Sequence, residues 1–97
     1  MAEEKPQSQP QPQPLIQYPT VYSFKVMGLK EGGFQDHVRQ LFRRLLGTDI
    51  SPDSISEQPS SRGKYVSLTV AVVLLSKDQR QAIYAALHQD RRVLYYL

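Results

Sequence analysis

The 97-residue sequence predicts an α+β sandwich: a four-stranded antiparallel sheet with both helices on one of its faces, built in the order βαββαβ. Three observations carry the prediction. Two stretches alternate apolar and polar residues with the period of a strand and are the richest in β-branched and aromatic side chains, which suits the centre of a sheet. Two others repeat apolar residues at helical spacing. The weakest strand candidate contains a proline, which lacks the amide that a central strand needs and belongs at an edge.

The first fourteen residues hold Pro6, Pro10, Pro12 and Pro14 interleaved with Gln7, Gln9, Gln11 and Gln13. They carry too little apolar surface to offset the entropy of ordering them, so residues 1–17 are expected to form a disordered Pro/Gln-rich tail ahead of a single domain over 18–97. The first strand follows in Val21–Gly28, where Tyr22, Phe24 and Val26 alternate with Ser23 and Lys25. A turn rich in glycine, Leu29 to Gly33, leads to Phe34, Val38, Leu41, Phe42 and Leu45, the apolar stripe of the first helix. Arg43 and Arg44 suit its negative end, and Gly47 is placed to cap it.

Ser54–Pro59 is the edge-strand candidate, and Ser60-Ser61-Arg62-Gly63 reads as a hairpin turn. The longest strand comes next, with Val66, Leu68, Val70, Val72 and Leu74 on one face and Tyr65, Ser67, Thr69, Ala71 and Val73 on the other. Ser76-Lys77-Asp78-Gln79 fits a capping box, in which the serine hydroxyl accepts an amide three residues on and the glutamine reaches back to the serine amide. Ile83, Ala86 and Leu87 form the stripe of the second helix, and Arg91–Leu97 is expected to be the closing strand. This element order is that of the ferredoxin-like fold. Right-handed crossovers place the first and third strands in the middle and leave one sheet face bare.

Several motifs together resemble the YbeD-like family of small uncharacterised bacterial proteins. They are Tyr18-Pro19 followed by Phe24-Lys25-Val26-Met27-Gly28, the run Pro59-Ser60-Ser61-Arg62-Gly63-Lys64-Tyr65 leading into Ser67-Leu68-Thr69, and the terminal Val93–Leu97. The resemblance spans residues 18 to 97. It implies a ferredoxin-like fold close to that of ACT regulatory domains, a cytoplasmic bacterial setting and no established catalytic activity. The Pro/Gln tail departs from the family's usual form.

Composition narrows the chemistry further. There is no cysteine, which removes disulfides, thiol nucleophiles and thiolate zinc sites. The longest apolar run, Val70 to Leu75, is six residues and too short to span a membrane. The N-terminus has no basic start followed by an apolar stretch, as a secretion signal would. His37 and His88 lie on separate helices, and no Ser, His and acid set or metal-ligand spacing can be assembled. The expectation is therefore a protein without enzymatic activity, metal or cofactor.

The candidate sites are three. The turn bounded by Gly28, with Gly32 and Gly33 at the start of the first helix, offers amides to an anion or carboxylate, near the place where ACT-type domains bind amino acids. The bare sheet face presents Lys25, Met27, Tyr65 and Ser67. The hairpin tip offers Ser60, Ser61 and Gly63. The expected role is regulatory or interaction binding of a small ligand or a protein partner. Binding of single-stranded RNA across the same face ranks behind it: residues 15–97 carry eleven Lys or Arg against seven Asp or Glu, a mild balance of +4 that supports it, but only Tyr65 is clearly outward where bases would stack, with Ser67 and Thr69 in the places of further aromatics. The closing edge strand, with Tyr95 and Tyr96, is the place where a monomer would pair weakly with a second copy.

Overall fold

A computed structural model describes residues 15–97. Strand β1 spans Thr20–Leu29, helix α1 Phe34–Leu46, strand β2 Ile55–Pro59, strand β3 Tyr65–Leu74, helix α2 Lys77–Gln89 and strand β4 Tyr95–Tyr96. The sheet runs β2-β3-β1-β4 and is antiparallel throughout, so the ferredoxin-like arrangement is the one observed. Residues 1–14 of the tail expected over 1–17 lie outside the described residues, and Leu15–Gln17 are exposed coil leading to β1.

The core lies between the sheet and the two helices. Phe24 and Val26 of β1, with Leu68, Val70 and Leu74 of β3, are fully buried against Phe34, Val38 and Phe42 of α1 and Ile83 and Leu87 of α2. The two central strands contribute alternate residues, as a sheet covered on one side requires, and the edge strand β2 adds only Ile55. Phe24 sits in a cluster of rings, with centroids 4.9 Å from Tyr22, 5.5 Å from Phe42 and 5.0 Å from Tyr84. The hydroxyls of Tyr22 and Tyr84 meet at 3.0 Å, and burial followed by that hydrogen bond pushes the Tyr84 phenol up to about 12, so it stays protonated at neutral pH.

Three local details differ from the sequence reading. The closing strand is shorter than Arg91–Leu97. Asp90 Oδ1 accepts from the Arg92 amide at 2.8 Å and the Asp90 carbonyl accepts from the Val93 amide at 3.2 Å, which winds Arg91–Val93 into a turn. Pairing to β1 begins only where the Leu94 amide donates to the Met27 carbonyl, and it ends with two reciprocal bonds between Leu97 and Lys25. Before β2, residues Pro52–Ser54 form a short 3-10 turn, because Ser51 Oγ accepts the Asp53 amide and Pro52 has no amide to lose. At the start of α2, Ser76 Oγ accepts from the Gln79 amide at 3.1 Å as expected, but the Gln79 side chain reaches the amide of Leu75, one residue earlier than a standard capping box.

Candidate functional site

Strand register sorts every side chain of the sheet. Lys25 stands beside Thr69 and, across β2, Thr69 stands beside Ser56; Met27 is flanked by Ser67 on one side and Tyr95 on the other; Leu29 lies beside Tyr65. These residues, together with Ser23 and Gln58, form the face that no helix covers among the described residues. Lys25, Met27, Tyr65 and Ser67 therefore converge on one surface, as the alternation of the strands requires. The sequence reading had not placed Tyr95 there. Its orientation follows from the pairing Met27↔Tyr95, which puts Tyr95 outward and its neighbour Tyr96 inward.

The face divides along its length. At one end lie Val21, Ala71 and Val73, apolar and partly or fully exposed; the middle carries Ser23, Lys25, Ser56, Ser67 and Thr69; the other end carries Met27, Leu29, Tyr65 and Tyr95. Depressions on the middle and the tyrosine end are shallow, about 110 and 230 Å³. A larger cleft of about 520 Å³ opens around the end of β3, walled by Val21, Leu46, Ile50, Val72, Val73 and Leu75. It exists because β2 stops at Ile55, paired with Val70, while β3 runs on to Leu74 without a neighbour on that side among the described residues.

The glycine turn is occupied by the protein itself. Gly28 is buried, and a side chain there would run into the ring of Phe34 and the carbonyl of Arg92. Gly32 and Gly33 hold consecutive left-handed conformations, with φ of 80° and 70°, which other residues resist. The Arg92 guanidinium closes over them: Nη2 donates to the carbonyls of Gly32 at 2.8 Å and Glu31 at 3.3 Å, and the group lies 6.0 Å from the Phe34 ring.

Next to this turn, His37 Nε2 meets Asp90 Oδ2 at 2.7 Å, joining α1 to the loop that launches β4. Burial alone raises the Asp90 carboxyl, but the Arg92 amide and His37 outweigh it and hold the group below its ordinary value. A depressed carboxyl stabilises the fold above its unfolded value and loses that contribution as pH falls. Asp90→Asn is therefore expected to lower stability at neutral pH by about 1–2 kcal/mol. It should also flatten the acid limb of the stability profile below the 3.8 of a free carboxyl. Urea denaturation at a series of pH values measures both effects.

The hairpin tip is explained by turn chemistry. Ser60 Oγ accepts the Tyr65 amide at 3.1 Å, the Ser60 amide donates to the Tyr65 carbonyl at 2.8 Å, and the Gly63 amide donates to the Ser60 carbonyl at 2.9 Å. Ser61 is exposed and takes part in none of these bonds. No group of three or more His, Asp or Glu side chains that could hold a metal ion occurs among the described residues, and no helix there is long and apolar enough to cross a membrane.

Comparison with known proteins places the chain. It is 37% identical over 78 residues to a UPF0250 protein of Leptothrix cholodnii, covering 80% of this chain and 85% of the relative. It is 34% identical over 83 residues to a UPF0250 protein of Idiomarina loihiensis, covering 86% and 91%. The solution structure of protein HP0495 from H. pylori superposes with a TM-score of 0.68 over 99% of this chain and 98% of that one, at 16% identity, a likeness of fold. The profile of the family described as "Protein of unknown function (DUF493)" matches residues 13–97. The chain thus belongs to the DUF493 family of small bacterial proteins, the YbeD-like group that its motifs resemble.

Proposed function

We propose that this chain is a non-enzymatic interaction domain of ACT-like shape, acting in the cytoplasm, that regulates a partner by docking it on the bare face of the sheet. The observation that carries the reading is the face itself. Two central strands and β4 present Lys25, Met27, Tyr65, Ser67 and Tyr95 side by side on a shallow surface left uncovered among the described residues. Depressions of about 110 and 230 Å³ fall below the size that encloses a small ligand, which favours a partner that spreads over the surface. The cysteine-free composition suits a reducing compartment.

A photo-crosslinking residue placed at Tyr95 of the full chain in cells tests the reading. The expected result is a discrete adduct that is absent when the same group replaces exposed Gln81 on α2 and that weakens with Lys25→Glu. Equal labelling from both positions would contradict it.

A second reading, an apolar small molecule in the cleft of about 520 Å³, draws on the size and lining of that cleft. Thermal-shift screening against amino acids and related metabolites tests it. A stabilising compound is expected to lose its effect when Val73→Trp fills the cleft.

A further inference from the structure

We infer that the partner of the bare face is a single-stranded nucleic acid, held by Tyr65 and Tyr95 and by the cations around them; the inference rests on the docking reading given above. The first ground is how the tyrosines are used. Four of the six have their hydroxyls engaged within the fold: Tyr18 accepts from Arg80, Tyr22 meets Tyr84, and Tyr96 meets His88. Tyr65 and Tyr95 do not. They stand outward at 38% and 55% exposure, and their hydroxyls have no hydrogen-bond partner among the described residues. Planar rings left free on an open sheet are what unstacked bases pack against. Register places the two rings on strands separated by β1 and two residues apart along it, with Met27 and Leu29 between them.

The second ground is charge. By strand register no Asp or Glu points outward on this face; Lys25 lies at its centre, and exposed Glu57 of the edge strand borders the depression beside it. Exposed Lys30, Arg62, Lys64 and Arg91 lie in the turns at its tyrosine end, and none of them is in an ion pair among the described residues. Lys64 Nζ lies over the Tyr65 ring, 5.5 Å from its centroid, so a cation stands on one face of that ring. Those turns hold two carboxylate side chains, Glu31 and Asp90, and Asp90 is already paired with His37. A partner carrying regularly spaced negative charge fits this pattern.

The third ground separates nucleic acid from protein. The middle of the face is Ser23, Lys25, Ser56, Ser67 and Thr69, and serine and lysine are depleted at the centres of protein interfaces. Hydroxyls and an ammonium there serve base edges and phosphates.

Fluorescence anisotropy of the full chain with a labelled oligouridine tests the inference, with a labelled oligoglutamate peptide and a duplex of equal length as the other arms. Saturable binding to oligouridine is expected to exceed binding to either alternative. With about four phosphate contacts on a single strand, affinity should fall roughly 50-fold between about 50 and 200 mM salt. Tyr65→Ala and Tyr95→Ala should each weaken binding about tenfold, and Tyr95→Phe should restore it, because the ring and not the hydroxyl stacks. Thermal denaturation of the variants checks that they remain folded.

No anisotropy change at low salt would overturn the inference, as would equal binding to oligoglutamate. Amide shifts on titration with oligouridine separate the two readings. Shifts confined to Lys25, Met27, Ser67 and Tyr95 support both; binding with shifts on the helices and none on the sheet overturns both. Absence of binding, alongside a site-specific protein crosslink from Tyr95, overturns the nucleic-acid assignment and leaves the docking face standing.

Discussion

Phe24→Ala is expected to lower the unfolding free energy by about 4 kcal/mol, a large part of what a domain of this size possesses. Phe24 has no exposed surface and lies where β1, α1 and α2 meet, with the rings of Tyr22, Phe42 and Tyr84 around it. Truncation removes the transfer free energy of the ring and leaves a cavity that those large neighbours cannot close without leaving their own rotamers. Phe24→Leu, which keeps much of the volume, should cost only about 1–2 kcal/mol. Denaturant titration followed by far-ultraviolet circular dichroism measures both. Equal losses for the two variants would show that the site collapses freely and that the ring cluster is not the organising contact of the core.

Gly28→Ala is expected to cost about 3 kcal/mol, although it adds a single methyl group. The added carbon would meet the Phe34 ring and lie 2.7 Å from the Arg92 carbonyl, and neither is the free end of a flexible side chain. Phe34 is 1% exposed and packed into the core, while Arg92 is tied to the turn through its guanidinium and to Asp90 through its amide. Strain at Gly28 should therefore pass to the β4 lane, and amide exchange at Leu94 and Leu97, whose bonds to Met27 and Lys25 hold that lane, should speed up more than exchange in β3. Combining the change with Phe34→Leu should recover part of the loss. Additive effects of the two substitutions would contradict the steric account.

Elements with a strong period of their own were legible from the sequence. The stripe Phe34, Val38, Leu41 and Phe42 is the buried face of α1, the alternation of Val66 to Leu74 is the buried face of β3, and Pro59 marks the edge strand. What escaped depended on contacts made at long range or on a register with no local signal. His37 and Asp90 are 53 residues apart, so nothing in either neighbourhood announces their pairing. Tyr95 and Tyr96 are adjacent and identical, and only the register against Met27 and Val26 decides which of them faces out. The shortened β4 did have a signal: Asp90 is a residue whose side chain readily accepts a nearby amide, and it accepts that of Arg92, which delays pairing until Leu94. The residues predicted for the bare face come together because alternation was enough to place them. Gly28, Gly32, Ser60 and Gly63 of the two turns are held by bonds and contacts internal to the fold, whereas Ser61 is exposed and makes none of these bonds.

The account stands on the sheet face being open to its surroundings in the full chain. Solvent paramagnetic relaxation with a soluble gadolinium chelate measures this residue by residue. Strong enhancement is expected for side-chain protons of Lys25, Met27, Ser67, Thr69 and Tyr95 and almost none for Val26, Leu68 and Val70 on the opposite side of the same strands. Weak enhancement on both sets would mean that another part of the chain or a second copy covers the face, and would contradict the account.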